Sequence, residues 1–277
     1  MSISYREIRF LTGEDISRND VLVSLLADIG FESFMDHESG FSAYIPDQEF
    51  NEMLFGEIII SANNPNFETI IHPPQNWNET WENQFEPVQV NDDLWIRAPF
   101  HEPVKQAKME IVIEPKMSFG TGHHATTTLM CDAIYQMDLE GKNVLDFGCG
   151  TGILGILALK NGAASVVGID IETWAVENAL ENAQRNDVRM DVLVGGIQTI
   201  QDQEGFDLIL ANINRNVLMK DAEEYLAKLN VDGTLLLSGI LETDIRELIP
   251  FYETMNLKLI QEKTREGWGC LLMQKHL

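Results

Sequence analysis

Hydrophobic positions in the first sixty residues change period several times. Alternation over residues 4–10 predicts a strand. The stripe Val21, Leu22, Leu25, Leu26 and Ile29 predicts a helix over 17–29, ended by Gly30. Two short strands are expected at 32–35 and 41–45, around the turn-like string HESG. Asp47 is the expected cap of a helix running through Phe55, and the β-branched run at 57–61 reads as a closing strand. The resulting β-α-β-β-α-β order is that of a small ferredoxin-like α+β domain over residues 1–62.

The strings SANNPN and HPPQN break the pattern and mark residues 63–90 as a linker. Within it Trp77, Trp81 and Phe85 recur every fourth residue, the spacing of one face of a short helix. Packing is the expected role of that stripe. The stretch 88–114 is β-rich through VQV, LWIRA and MEIVIEP, and a helix is predicted at 126–137. Apolar runs NVLDF, SVVGIDI, RMDVLVG, FDLILANI and TLLLSGI then alternate with predicted helices near 153–160, 174–184, 217–228 and 244–251. Near-continuous apolar strands between helices are what a parallel sheet covered on both faces requires. The final stretch, LKLIQEKTREGWGCLLMQK, holds two strands whose connection is too short for a crossover helix, so an antiparallel hairpin is predicted. The expected fold class is therefore α/β: a doubly wound Rossmann-like sheet over 91–277 with an antiparallel C-terminal hairpin, plus the small domain.

Charge adds a constraint on partners. The 277 residues carry 19 Lys and Arg against 44 Asp and Glu, a net −25, and the first 75 hold three Arg against thirteen acids. Such a field repels bare nucleic acid and steers in a basic partner; it also simply keeps a protein soluble, and composition does not separate these two uses. No apolar run reaches the roughly 18–20 residues that span a bilayer, and MSISYREIRF lacks the apolar core of a leader, so a cytoplasmic location without membrane contact is expected. Cys131, Cys149 and Cys270 form no metal or disulfide spacing.

The chemistry concentrates in NVLDFGCGTGILGILAL. An apolar strand runs through Asp146 into Gly148, Cys149, Gly150, Thr151 and Gly152, and a helix follows. Glycines there permit a tight strand-to-helix turn and close approach of a ligand to backbone. Asp170 ends the next strand 22 residues after Gly148, where a carboxylate accepts from ribose hydroxyls. The spacing is GxGxG, with Ile153 where a dinucleotide fold places its third glycine. S-adenosylmethionine, which has no phosphate, fits that spacing better than a nicotinamide dinucleotide. Asn212 ends the fourth strand at the same edge and is the candidate catalytic residue, able to accept from an amine and orient it; Asn214 or Asn216 suits the cap of the next helix better. In MSFGTGHHATTT, Phe119, Gly120 and Thr121 form a glycine-rich lid over the cofactor, with a Thr hydroxyl in contact. The pair His123 and His124 lacks further ligands, so no metal is expected.

Together MSFGTGHHATTT, LDFGCGTG, GIDI and LANIN, in that order and spacing, resemble the ribosomal protein L-eleven methyltransferase family (PrmA) over the whole chain. The resemblance implies S-adenosylmethionine-dependent methylation of lysine side chains and the α-amine of one large-subunit ribosomal protein, gripped by the amino-terminal domain. It implies cofactor contacts at Thr127, Gly148, Asp170 and Asn212, with Gly150 in the same turn. The chain departs from the family pattern at HHA, where a less basic residue precedes the second His and Pro often stands at 125. Two rivals stand beside this reading: a methyltransferase acting on another protein or on a small-molecule amine, and a module that senses the cofactor without turning it over.

Overall fold

Residues 4–11, 16–37, 39–73 and 85–277 are described by the computed structural model, and the chain divides into two units, Met1–Phe85 and Glu86–Leu277. In the first, β1 (Tyr5–Phe10), α1 (Ile16–Ala27), β2 (Ser33–His37), β3 (Gly40–Pro46), α2 (Glu52–Ser61) and β4 (Phe67–His72) build a four-stranded sheet of order β2-β3-β1-β4. Every pair in it is antiparallel. Period-two alternation puts Ile8, Phe10, Phe41, Ala43 and Ile45 on one face, where they bury against Leu22 and Leu26 of α1 and Phe55, Ile58 and Ile59 of α2. Val21, counted in the α1 stripe, is instead 59% exposed. The other face carries the buried carboxylate of Glu7.

Residues 57–61, read as a strand, are the second half of α2. The run EIII has high β propensity, but burial falls on Phe55, Ile58 and Ile59, a helical spacing, and tertiary packing overrides local preference. The cap is Asn51 rather than Asp47: its side chain accepts from the Met53 and Leu54 amides at 3.1 and 3.2 Å, while Asp47 opens a short 3-10 turn. Asn63 and Asn64 then take left-handed backbone and turn the chain into β4. The first sheet thus continues past residue 62, where the sequence pattern had placed its end. The Trp77 and Trp81 stripe lies outside the described residues.

The second unit opens with a three-stranded sheet, β5 (Val88–Gln89), β6 (Leu94–Arg97) and β7 (Met109–Val112), followed by α3 (Ala125–Tyr135). The central sheet takes β8 (Asn143–Phe147), β9 (Ser165–Asp170), β10 (Asp191–Val194), β11 (Phe206–Asn212), β12 (Leu229–Leu241), β13 (Leu257–Arg265) and β14 (Trp268–Lys275) in the order β10-β9-β8-β11-β12-β14-β13. Its first five strands run parallel, and β14 is antiparallel to both neighbours. Glu266 and Gly267, both at positive φ, make the two-residue turn that joins β13 to β14. Successive residues face opposite cores. Val144, Leu208, Leu210 and Leu236 join the core under α3, α4 (Ile153–Lys160) and α5 (Thr173–Arg185). Leu145, Ile209, Ala211, Leu235 and Leu237 join the core under α6 (Arg215–Lys220), α7 (Ala222–Ala227) and α8 (Ile245–Glu253). The helix expected at 217–228 is two, α6 and α7, broken at Asp221. Strand order reverses between β8 and β11, and the carboxyl ends of these two strands frame the site.

Candidate functional site

Between β8 and α4 the chain must turn within five residues. Gly148, Gly150 and Gly152 do so at φ of 73°, 54° and 78°, conformations that an L side chain rarely adopts. Space excludes side chains as well: a Cβ on Gly148 would run into Ile213, and one on Gly150 into the Phe119 carbonyl oxygen. The Gly148 and Cys149 amides bond the Ile169 carbonyl at 2.9 and 3.0 Å, stitching the turn to β9. The Asp170 carboxylate accepts from the Gly150 amide at 2.9 Å with one oxygen and from the Glu172 amide at 3.1 Å with the other. A carboxylate has about four acceptor positions, so half of those on Asp170 remain for a ligand.

Beyond these strand ends lies a cleft of about 320 Å³, lined by Phe119, Phe147, Gly148, Gly150, Ile169, Asp170, Ile171, Glu172, Trp174, Ala175, Gly195, Asn212, Ile213, Asn214 and Val217. Asn214 caps α6 by accepting from the Val217 amide at 3.1 Å. Asn212 lines the cleft with a buried Oδ1 that has no partner among the described residues. A buried acceptor left empty costs roughly 1–3 kcal/mol, and among the described residues Asn212 alone combines such an atom with a place on the cleft wall. Ser118, Thr127, Asp146 and Asn178 also carry buried oxygens without partners among the described residues. A second cavity, about 290 Å³, opens at the amino ends of β8, β11 and β12 near Lys142, Asp207 and Asp232. None of its lining residues has a buried unpartnered atom among those described, so the first cleft is the stronger candidate.

Of the residues expected from sequence, Phe119, Gly148, Gly150, Asp170 and Asn212 line the cleft. Thr127 is fully buried on the first turn of α3, off the cleft surface, with its Oγ1 unpartnered. Gly120 and Thr121 do not line the cleft either. The Gly120 carbonyl accepts from Thr151 Oγ1 at 2.7 Å, and Thr121 Oγ1 lies 3.4 Å from His123 Nδ1. His124 caps α3, its Nδ1 accepting from the Thr126 amide at 3.3 Å, and its ring packs between Phe119 at 5.2 Å and Trp268 at 4.7 Å. Sequence reasoning missed Ile171, Glu172 and Trp174. The first and last are large apolar residues, 73% and 40% exposed, placed just past the end of β9. The signal was available, because residues immediately after a strand that ends in a ligand carboxylate must flank that ligand.

Beneath the turn, Asp146 is fully buried. Burial pushes its carboxyl up to about 7; the Gly155 amide at 2.9 Å opposes that shift, and the nearby Asp170 charge adds to it. Burial, reinforced by Asp146 and Asp170, pushes the Cys149 thiol up as well, so it is a neutral packing group rather than a nucleophile.

The residues fit S-adenosylmethionine: a backbone cradle closed to side chains, a ribose-competent carboxylate, an apolar rim and an empty buried acceptor. Comparison with known proteins agrees. Residues 19–276 match the family profile described as ribosomal protein L11 methyltransferase (PrmA). A ribosomal protein L11 methyltransferase of Porphyromonas gingivalis is 44% identical over 258 residues, covering 91% of this chain and 89% of that protein. One from Phocaeicola vulgatus is 36% identical over 278 residues, covering 97% and 98%. A crystal structure of ribosomal protein L11 methylase from Lactobacillus delbrueckii subsp. bulgaricus superposes with a TM-score of 0.63 at 28% identity, over 69% of this chain and all of that one. The architecture is thus an α/β methyltransferase-like fold with a mixed central sheet. Among the described residues, no helix is long and apolar enough to cross a membrane, and no group of His, Cys, Asp and Glu could hold a metal ion.

Proposed function

Because the chain belongs to the ribosomal protein L11 methyltransferase family, we propose that it transfers methyl groups from S-adenosylmethionine to amino groups of ribosomal protein L11, on lysine side chains and the N-terminal amine. The observation that carries this reading is the buried, unpartnered Oδ1 of Asn212 on the wall of the cleft that Asp170 and the glycine turn also line. Once bound, S-adenosylmethionine supplies an activated methyl group. Asp170 accepts from its ribose hydroxyls, Gly148 and Gly150 let it lie against the backbone, and Ile171 and Trp174 form the apolar rim for its base. Thr127, the cofactor contact that the family resemblance implies, is fully buried on α3 behind the cleft wall, so its part in binding is support of that wall.

The acceptor must arrive as a neutral amine. A free lysine is neutral in only roughly one molecule in a few thousand at pH 7, because its pKa is near 10.4. The walls made by Phe119, Phe147, Ile169 and Ile213 exclude water and disfavour the ammonium form, so the proton leaves to solvent before the amine seats. Asn212 Oδ1 then accepts from the amine N–H and fixes the direction of its lone pair, which is positional catalysis and needs no strong base. The small unit is assigned the grip on the substrate. Its strand order supports a ferredoxin-like reading, and its acidity suits a basic partner. Likewise the β13–β14 hairpin supports the methyltransferase variant of a doubly wound sheet.

Incubating the protein with methyl-labelled cofactor and total ribosomal proteins tests the reading. Label should appear on L11; label confined to another protein, or to small amines, would replace the acceptor, and tight cofactor binding without any transfer would favour a sensing module.

A further inference from the structure

The segment 118–122 carries Phe119 into the cleft and has the composition of a mobile lid, yet the structure fastens it. Every polar group of Thr151, in the middle of the glycine turn, is committed to that fastening. Its amide donates to the Phe119 carbonyl at 3.0 Å, and its hydroxyl donates to the Gly120 carbonyl at 2.7 Å. Its own carbonyl accepts from Asn182 Nδ2 at 3.0 Å. Asn182 in turn accepts from the Glu114 amide at 2.9 Å, four residues before the segment. One turn later on α5, Asn186 bonds both the amide and the carbonyl of Val112, at 2.8 and 2.7 Å. Four residues of helix and two of strand both advance about 6 Å, so the two asparagines face Val112 and Glu114 in register. Thr151 and Asn182 are fully buried. The fit is also steric: a Cβ on Gly120 would stand 2.6 Å from Thr151 Oγ1, and Gly150 has no room beside the Phe119 carbonyl.

We infer that Thr151 is a positioning residue for methyl transfer: with Asn182 behind it, it latches the Phe119 segment to the cofactor turn, so that the wall at Phe119 and the cradle at Gly150 move as one body. This rests on the methyltransferase reading above. Thr151 itself does not line the cleft; it acts through Phe119 and Gly120. A wall held this way is in place before either ligand arrives, and alignment errors of the order of 1 Å are costly in the transition state.

Thr151→Val keeps the shape and removes the hydroxyl; Thr151→Ala removes the hydroxyl with less bulk; Thr151→Ser keeps it. The expected result is a fall in kcat of about tenfold for both Val and Ala variants, with cofactor Kd changed less than about threefold, and recovery of most of the turnover by Thr151→Ser. Amide hydrogen exchange over 118–123 should accelerate in the Val and Ala variants while β8 and β11 stay protected. The latch is overturned if exchange in that segment is unchanged, if Val and Ala differ as bulk would dictate, or if Ser is as damaged as Val. Exchange reads the latch without any reaction, so failure of the wild-type protein to methylate L11 would sink the functional reading and leave this test standing.

Discussion

Two buried carboxylates, one in each unit, are held out of water in two different ways. Glu7, 3% exposed in the middle of the small sheet, is saturated. It accepts from Ser42 Oγ at 2.7 Å, from Arg9 at 3.0 and 3.1 Å and from His72 Nε2 at 2.8 Å. Asp146, at the end of β8 under the glycine turn, has a single donor, the Gly155 amide, and one oxygen with no partner among the described residues. Glu7 keeps its charge because donors surround it; Asp146, fully buried and short of donors, holds its proton more tightly instead. Thr127 has a similar unfilled oxygen away from the cleft, and among the described residues Asn212 alone has one while lining the cleft.

If the unfilled acceptors serve ligands, the largest effect belongs to the one in the cleft. Asn212→Ala should lower the single-turnover rate by about a hundredfold while calorimetry finds cofactor affinity little changed, because orientation matters chiefly in the transition state. Full turnover in that variant would remove Asn212 from the mechanism and leave its empty Oδ1 unexplained.

Next in size is Asp170→Ala, which removes the charge-assisted bonds to the ribose, worth about 1.5–3 kcal/mol, and should weaken cofactor binding about tenfold or more. The same carboxylate anchors the Gly150 amide, so Asp170→Asn, which keeps an acceptor there, should lose less. Equal losses would mean that the charge itself is what counts.

Asp170, Gly148 and Asn212 were legible in sequence for one physical reason. Strands buried on both faces are continuous apolar runs, and the polar residue that ends such a run lies at the carboxyl edge where ligands bind. The small unit has a sheet with only one face under helices, and there short apolar stretches are ambiguous. The string FGEIIIS satisfies a strand by composition and a helix by spacing, and only packing against Phe10 and Ile8 decides. Thr151 and Asn182 were hidden for a different reason: their role is a set of hydrogen bonds between residues 31 and 68 positions apart, which no local pattern encodes. Ile171 and Trp174 carry no periodic signal, being exposed apolar residues after a strand.

The acidity of the first unit and the short-range contacts of the cleft should also separate with salt. Three Arg against thirteen acids in the first 75 residues act on the encounter with a basic protein, so kcat/KM for L11 should fall severalfold as salt shortens the screening length below about 8–10 Å. Cofactor affinity should hardly move over the same range. Parallel declines in both would place the electrostatics at the cofactor cleft instead of the small unit.

The smallest effect sharpens the opening comparison most, because the two carboxylates should respond to pH with opposite sign. Burial alone would raise Glu7, but Ser42, His72 and Arg9 outweigh it and hold the carboxyl below its usual range. The unfolded chain therefore binds the proton more readily, so this stabilisation is present above the ordinary glutamate pKa of about 4.3 and is lost as pH falls through the lower folded value. Asp146 is the reverse. Its folded value of about 7 lies above the ordinary aspartate value of about 3.9, so the folded state holds a proton that the unfolded state has released. Its contribution is full below about pH 4, declines as pH rises toward 7, and is gone above that. Denaturant melts followed by a probe in each unit should then show the small unit weakening only in acid and the cofactor unit weakening from about pH 4 to 7. Glu7→Gln should flatten the acid limb. Asp146→Asn, which can still accept from the Gly155 amide, should flatten the slope between about 4 and 7. A cofactor unit whose stability does not change across that interval in the wild-type protein would show that Asp146 is ionised and served by a donor, and the distinction between saturated and unfilled carboxylates would fail at the residue that defines it.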